Sequence, residues 1–142
     1  MKPIFLSFSE ILDSIPFASI KGYFPDIVIG IERGGVVLAS LVAFRLGIEL
    51  RSIRASLYDD SKPAKKKFDE PKIEMHNLNG MEGKRVLIVD DVSNSGATLD
   101  AVKSAIASIG AKEIKTFVYA GKADFSCRPF ERCLVFPWEE RK

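Results

Sequence analysis

Short apolar runs and segments of helical periodicity alternate along this chain. The apolar runs are rich in β-branched residues, which predicts strands at 26–31, 48–56, 84–90 and 113–119. Between them, apolar residues three and four positions apart predict helices that begin near Phe8 and that cover 36–46 and 98–109. Strands and helices in this order predict an α/β fold, with a central parallel sheet and helices on both faces.

Other segments depart from this alternation. Residues 57–71 are charged and nearly free of apolar side chains, which is typical of a mobile surface loop. The pattern over 72–76 predicts a short strand that returns toward Leu78, and a last short strand is expected over 133–136. Residues 122–132 show no clear periodicity, and we expect this stretch to be irregular.

The composition indicates a globular protein, because 46% of its 142 residues are hydrophobic and 28% are charged. We expect one domain over residues 1–142. A net charge of +2 does not by itself indicate nucleic-acid binding. No apolar run approaches the roughly 18 residues of a membrane span. An acid already occurs at Glu10, so the N-terminus does not resemble a signal peptide, and a cytoplasmic protein is expected.

Two adjacent acids, Asp90 and Asp91, directly follow the apolar run 86–89. Carboxylates at the end of a buried strand are costly unless they are paired, bound to a metal or hydrogen-bonded to hydroxyl groups. The alternative is that one of them simply faces solvent. Ligands of parallel sheets bind at the carboxyl ends of the strands, so this pair is a candidate site.

A loop of small polar residues, 93–98, follows the acids and leads into the helix predicted over 98–109. Small residues let the backbone approach a phosphate, and both successive N–H groups and the helix dipole favour an anion. The alternative is an ordinary helix start, with Ser93 or Asn94 as the N-cap.

Residues 86–98 resemble the phosphoribosyl-diphosphate (PRPP) signature of the type I phosphoribosyltransferases. Residues 29–35 are similar to the family's diphosphate-binding loop, and 57–71 lie where the family has its mobile lid. The segment made of Pro137, Trp138 and Glu139 resembles the C-terminal part of short bacterial xanthine-guanine members. The resemblance implies the family's parallel sheet, with a small hood built from the chain ends.

The resemblance also implies roles for individual residues. Asp90 and Asp91 would bind the ribose hydroxyls, directly or through Mg²⁺ as the cofactor, and the peptide bond between Glu32 and Arg33 would be cis. The 5′-phosphate would be bound by Ser93, Asn94, Ser95, Gly96, Ala97 and Thr98. The diphosphate would be bound by Arg33, Gly34 and Gly35. The lid would include Tyr58, Lys65, Lys66 and Lys67, although its lysines are equally typical of a solvated surface.

The residues that would face the base depart from the family pattern. Purine-type members have an acid at the position of Asn94, where it is proposed to take a proton from the base. An asparagine cannot act as a base near neutral pH. Lys122 aligns, within one residue, with a lysine of the family that contacts the purine's exocyclic oxygen. Cys133 aligns with an aromatic residue of the family that stacks on the purine. Leu134, Val135 or Phe136 is therefore considered as an apolar wall of the base site, with Leu134 as the candidate base-binding residue.

The resemblance implies Mg²⁺-dependent transfer of the phosphoribosyl group from PRPP to a nucleobase, with a purine favoured, as in salvage. Asp90, Asp91 and Asn94 would be the catalytic residues, and a homodimer is expected. Two alternatives remain: a regulatory protein that binds PRPP or a nucleotide without catalysis, and a nucleotide phosphatase or other phosphosugar-binding protein. Asn94 and Cys133 motivate the first alternative.

Overall fold

The computed structural model describes residues 2–56, 72–74 and 78–139. The described residues form the following strands and helices, in chain order: β1 (Ile4–Phe5), α1 (Phe8–Ser14), α2 (Phe17–Tyr23), β2 (Ile27–Glu32), α3 (Gly34–Leu46), β3 (Glu49–Ser56), β4 (Lys72–Glu74), β5 (Arg85–Ser93), α4 (Ala97–Ser108), β6 (Glu113–Gly121), β7 (Phe125–Arg128) and β8 (Leu134–Val135). Among these elements, no helix is long and apolar enough to cross a membrane.

The main sheet has six strands in the order β4-β3-β2-β5-β6-β7. Its central pairs are parallel, and in the β2–β5 pair Ile27 lies opposite Val86 and Gly30 opposite Val89. This confirms the predicted parallel sheet. The edge strand β4 differs, because it pairs antiparallel with β3.

Helices cover both faces of this sheet, as the sequence predicted. On one face α3 packs Leu38 and Val42 into a core that includes Leu87 and Val89 of β5. On the other face α4 packs Leu99, Val102 and Ile106 into a core that includes Val86 and Ile88. Because successive side chains of a strand point to opposite faces, β5 is buried on both sides, which explains its unbroken apolar run. Each such buried side chain contributes about 1.5–3 kcal/mol relative to an exposed one.

The first helical segment is divided into two short helices at Pro16. Ser7 caps α1 by accepting a hydrogen bond from the Glu10 N–H at 3.1 Å, and the Glu10 carboxylate accepts one from the Ser7 N–H at 3.2 Å. Helix α1 ends at Ser14, and α2 begins after Pro16 at Phe17. These two short helices place Ile11 and Ile20, both fully buried, on the face of the sheet that α3 also covers.

The prediction that residues 122–132 are irregular is wrong in part. Phe125–Arg128 form β7, which pairs parallel with β6 and places Phe125 opposite Phe117. Phe125 and Cys127 pack against the core, whereas Ser126 between them is exposed. This period of two over only four residues was the available signal, and it is too short to stand out in the sequence.

Both chain ends contribute to a small second sheet, as expected for a hood. β1 pairs parallel with β8, so that Ile4 lies opposite Leu134. The Phe136 ring is buried and stacks on Trp138 with a centroid distance of 4.7 Å. Phe136 also makes an edge-to-face contact with Tyr119 of β6, with a centroid distance of 5.6 Å. These rings attach the hood to the main sheet near the carboxyl end of β6.

Candidate active site

The acid pair lies near the carboxyl end of the central strand β5, where both side chains are half-buried. The Asp91 N–H donates a hydrogen bond to Asp90 Oδ1 at 2.8 Å, and the Val92 N–H donates one to Asp91 Oδ1 at 2.8 Å. Burial raises the pKa of Asp90 well above its ordinary value, and the neighbouring charge of Asp91 raises it further. Ionisation of both carboxylates is therefore costly unless a cation or hydroxyl donors stabilise the charge.

The turn between β2 and α3 packs directly against this acid pair. The Glu32–Arg33 peptide bond is cis, as the family resemblance implied. A Cβ atom on Gly34 would overlap the Asp91 carboxylate, and one on Gly35 would overlap the Val89 carbonyl oxygen and come within 2.8 Å of Asp90 Cα. Only glycine fits at position 35, because the backbone of the turn lies against the backbone of β5 there, whereas at Gly34 the neighbouring group is the Asp91 side chain.

Arg33 and Glu32 flank this turn with charged side chains. Glu32 Oε2 accepts a hydrogen bond from the Ser52 hydroxyl of β3 at 3.0 Å, which ties the turn to the neighbouring strand. Arg33 is exposed and directly precedes the N-terminus of α3. A guanidinium beside a helix N-terminus is suited to binding a diphosphate, since both favour negative charge.

The turn between β5 and α4 is open to solvent. Asn94 and Ser95 are exposed, and α4 begins at Ala97 after Gly96, which has φ of 84°. Gly96 is the N-cap and has no side chain to cap the helix, so the alternative of Ser93 or Asn94 as the N-cap does not hold. The Ser95 hydroxyl accepts a hydrogen bond from the Ala97 N–H at 3.2 Å. The small residues around this helix start leave its backbone accessible to an anion such as a phosphate.

Ser93 lies apart from the open part of this loop. It is the last residue of β5, opposite Gly121 of β6, and its hydroxyl is buried without a hydrogen-bond partner among the described residues. Ala97 and Thr98 belong to the first turn of α4, next to Gly96. The predicted phosphate-binding residues thus divide into a buried strand end and an accessible helix start.

The structure brings only part of the predicted base site together. Lys122 lines a cleft of about 390 Å³ that also includes Asn94 and Ser95. Cys133 and Leu134 do not line this cleft. They belong to the hood, where Leu134 is buried in the same core as Phe136.

Sequence reasoning gave no role to Glu139, which follows Trp138 at the end of the hood. Burial raises the pKa of Glu139, and the charge of Asp91 raises it further. The end of the hood therefore lies within the electrostatic reach of the acid pair. The signal in the sequence was an acid that follows two apolar rings, and it could not show which strand the hood faces.

The acid pair fits Mg²⁺ by the chemistry of its ligands. Mg²⁺ binds carboxylate oxygens, and it is commonly held by one or two carboxylates together with substrate oxygens and water. Within residues 2–56, 72–74 and 78–139, no cluster of three or more acidic, histidine or cysteine side chains is arranged to hold a metal. Asp90 and Asp91 would therefore hold Mg²⁺ together with a ligand, directly or through water.

The predicted lid lies outside the described residues, and with it Tyr58, Lys65, Lys66 and Lys67. The roles assigned to these four residues stay predictions.

One sequence family matches most of the chain. The family described as the phosphoribosyl transferase domain matches residues 9–129. The protein belongs to this family. The resemblance to type I phosphoribosyltransferases is thereby confirmed. The roles of the acid pair, of the turn between β2 and α3 (the diphosphate turn) and of the start of α4 stay predictions.

Individual relatives differ in their names. A purine phosphoribosyltransferase from Pyrococcus horikoshii has 32% identity and a TM-score of 0.82, covering 100% of this chain and 97% of that chain. An orotate phosphoribosyltransferase from Caldanaerobacter subterraneus is 32% identical over 129 residues, which are 88% of this chain and 61% of the relative. The transcriptional regulator GfcR of Methanococcoides burtonii is 34% identical over 97 residues, which are 68% of this chain and 45% of the regulator. The chain thus spans between about half and three fifths of the length of these two curated relatives.

Proposed function

We propose that the protein transfers the phosphoribosyl group of PRPP to a nucleobase in a Mg²⁺-dependent reaction, giving a nucleoside monophosphate and diphosphate. The base we propose is a 6-oxopurine: guanine, xanthine or hypoxanthine. The observation that carries this proposal is the position of the acid pair. Asp91 lies against Gly34 of the diphosphate turn, on the strand that leads into the open start of α4.

The protein's own residues would divide the donor among three places. The Ser95 hydroxyl and the backbone at Gly96 would hold the 5′-phosphate at the start of α4. Arg33 and the N–H groups of the diphosphate turn would hold the leaving diphosphate. Asp90 and Asp91 would bind the ribose hydroxyls and stabilise the positive charge that develops on the sugar in the transition state. Mg²⁺, when bound, would neutralise negative charge on the diphosphate and so make it a better leaving group.

The cleft that contains Lys122 supports the choice of an oxygen-bearing base. The lysine ammonium only donates hydrogen bonds, so it favours a carbonyl oxygen over an amino group. Asn94 in the same cleft both donates and accepts, and it would orient the base without taking its proton. The Pyrococcus horikoshii relative, which carries the name of a purine phosphoribosyltransferase, supports a purine as the substrate.

A panel of free bases tests this function directly. PRPP, Mg²⁺ and each base in turn are incubated with the protein, and the nucleoside monophosphate and diphosphate are measured. We expect product with hypoxanthine, guanine or xanthine, and none when Mg²⁺ is removed by a chelator. No product from any base would refute the proposal, and product only with adenine or orotate would refute the choice of base.

A second candidate function is a regulator that binds PRPP or a nucleotide without catalysis. Two observations favour it: Asn94 stands where purine-type relatives have an acid, and a relative at 34% identity is named a transcriptional regulator. Calorimetry that shows PRPP binding in a protein without turnover would support this candidate. Measurable turnover would exclude it as the sole function.

We also propose a homodimer formed through the outer face of α1, α2 and α3. Phe44 on α3 is 87% exposed, and a groove beside it is lined by Leu12, Phe17 and Leu41 and by Arg45, whose guanidinium lies 4.1 Å from the centre of the Phe17 ring. An exposed surface rich in large apolar side chains is typical of a protein interface. Light scattering should give a dimer mass for the wild-type protein and a monomer mass for Phe44→Glu. A wild-type monomer would contradict the proposal.

A further inference from the structure

The connection between β6 and β7 has an unusual path. β6 ends at Gly121 and β7 begins at Phe125, yet Phe125 lies opposite Phe117, four residues before the end of β6. Residues 122–124 must therefore run back along the sheet before β7 can start. They do so on the face covered by α4, where Ala123 packs against the core cluster of that helix.

The end of this connection at Asp124 is held by hydrogen bonds in which Asp124 both accepts and donates. Asp124 Oδ2 accepts from the Thr116 N–H at 2.8 Å and lies 3.2 Å from the Thr116 hydroxyl. The Asp124 N–H in turn donates to Thr116 Oγ1 at 3.1 Å. Thr116 is a buried polar residue within the apolar strand β6, and this pairing explains why a threonine is placed there.

The start of this connection, next to Gly121, is held by backbone packing. Gly121 has φ of 122°, and a Cβ atom there would overlap the Ser93 carbonyl oxygen at the end of β5. The Gly121 carbonyl accepts a hydrogen bond from the Ser126 hydroxyl at 2.8 Å. No side chain other than glycine's hydrogen fits at this position, so any lysine at the end of β6 must follow it in the sequence.

Lys122 is thus the first residue of a short connection that is fixed at both ends. Lys122 lines the same cleft as Asn94 and Ser95. Thr116 and Asp124 lie at the wall of that cleft, and Lys103 of α4 also contributes to it. We propose that Thr116 and Asp124 are positioning residues, which hold Lys122 in place for recognition of a carbonyl-bearing base. This inference rests on the proposed function, because it assigns the base contact to Lys122.

Nucleotide binding tests the inference without requiring turnover. Calorimetry would compare inosine monophosphate, adenosine monophosphate and ribose 5-phosphate, since the first two differ in an oxo or amino group on the purine. We expect the wild-type protein to bind the oxo nucleotide about tenfold more tightly than the amino nucleotide. Lys122→Met should abolish this preference, while affinity for ribose 5-phosphate changes by less than about twofold because that ligand has no base.

The positioning role is tested with a matched set of variants. Thr116→Val removes the hydroxyl at nearly constant volume and should reduce the preference for the oxo nucleotide to about threefold or less. Thr116→Ser keeps the hydroxyl and should retain the preference, as should Lys103→Met, which removes a charge from the same cleft. Asp124→Ala provides a second test if Thr116→Val does not fold, and thermal unfolding of every variant monitors stability.

The outcomes separate this inference from the proposed function. A full preference for the oxo nucleotide in Thr116→Val or Asp124→Ala would overturn the positioning role while leaving the transferase function intact. A wild-type preference for the amino nucleotide, or equal binding of both, would overturn the role of Lys122. A wild-type protein that binds none of the three ligands would overturn the proposed function and this inference together.

Discussion

The turns that follow β2 and β5 both begin a helix at the candidate site, but they are packed in opposite ways. In the turn after β2, a Cβ atom on Gly35 would overlap the backbone of Val89 and Asp90, and one on Gly34 would overlap the Asp91 carboxylate. In the turn after β5, a Cβ atom on Gly96 would meet no atom closer than Asp100 Oδ2, at 3.9 Å. The first turn is closed by its neighbours and the second is open.

The two turns therefore use glycine for different physical reasons. Gly35 is required by the close approach of another strand, which tertiary packing imposes. Gly96 is required by its own backbone angle, because φ of 84° is strained for residues with a side chain. The closed turn is suited to holding a diphosphate in one fixed position, and the open turn is suited to admitting a phosphate from solvent.

The largest effect is expected in the closed turn. Gly35→Ala should lower the free energy of unfolding by about 3 kcal/mol, because the added methyl group overlaps the backbone of β5, which cannot move aside. Urea unfolding measures this loss. Gly22→Ala is the matched control, since a Cβ at Gly22 in α2 meets nothing within 4 Å and alanine is the better helix former. Equal stabilities of the two variants would show that the turn is not closed.

The acid that contacts the closed turn should come next. Asp91→Asn removes a charge beside Gly34 and should reduce turnover at least tenfold, on the order of a hundredfold, by weakening stabilisation of the transition state. Steady-state kinetics with PRPP measure the change, and Asp13→Asn, an exposed acid on α1, serves as the control. Unchanged kinetics for Asp91→Asn would mean that the site is misplaced.

A change in the open turn should be tolerated by the fold and should alter the chemistry. Asn94→Asp supplies a proton acceptor, and we expect turnover with purines to rise on the order of tenfold. The free energy of unfolding should stay near that of the wild type, because Asn94 is exposed. A fall in turnover would show instead that the amide of Asn94 is matched to the natural base.

Within the open turn itself, the backbone angle should have a modest cost. Gly96→Ala should lower the free energy of unfolding by about 1 kcal/mol, through strain at positive φ and not through a clash. Gly96→Asn should cost less, since asparagine adopts this conformation more readily. Urea unfolding of both variants measures the difference, and a loss as large as that of Gly35→Ala would contradict the contrast between the turns.

The smallest change concerns the pH dependence of the metal-free protein. Because the pKa of Asp90 is raised in the folded state, folding binds a proton between the ordinary pKa and the raised one, and stability falls as pH increases through this window. An asparagine at position 90 does not titrate, so the stability of Asp90→Asn should not fall in this window. The variant should therefore be more stable than the wild type near neutral pH, and this difference in stability should disappear below the ordinary pKa. Urea unfolding across pH measures it, and parallel curves would contradict the raised pKa.

The sequence predicted most of the fold because its core strands are short, apolar and separated by clear helices. Val86 and Leu87 face opposite sides of the sheet and are both fully buried, so the unbroken run that they begin carried a strong signal. The sequence pattern did not predict β7, whose four residues follow a three-residue connection. It also missed β1, whose two residues become a strand only through pairing with β8 from the other chain end.

The candidate site was predicted as a set of local motifs, and its assembly was not. The two acids are neighbours in the sequence, as are the two glycines of the first turn, and the loop before α4 is continuous. Each motif could therefore be recognised from the residues within it. Sequence reasoning grouped Lys122 with Cys133 and Leu134, whereas the structure places Lys122 beside Asn94 and the other two in the hood. The pairing of Thr116 with Asp124 also escaped notice, because an exposed aspartate after a strand has no distinctive pattern.

The sequence by itself determined the phosphoribosyltransferase family, and it predicted which residues would hold the donor, because these residues lie in continuous motifs with their own backbone requirements. Only the tertiary structure decided what each motif touches: that Gly34 lies against Asp91, that Gly121 lies against Ser93, and that the hood ends near the acid pair. The physical reason is that strand order and register bring together residues far apart in the chain. The steric fit of residues at these contacts produces no periodic pattern in the sequence.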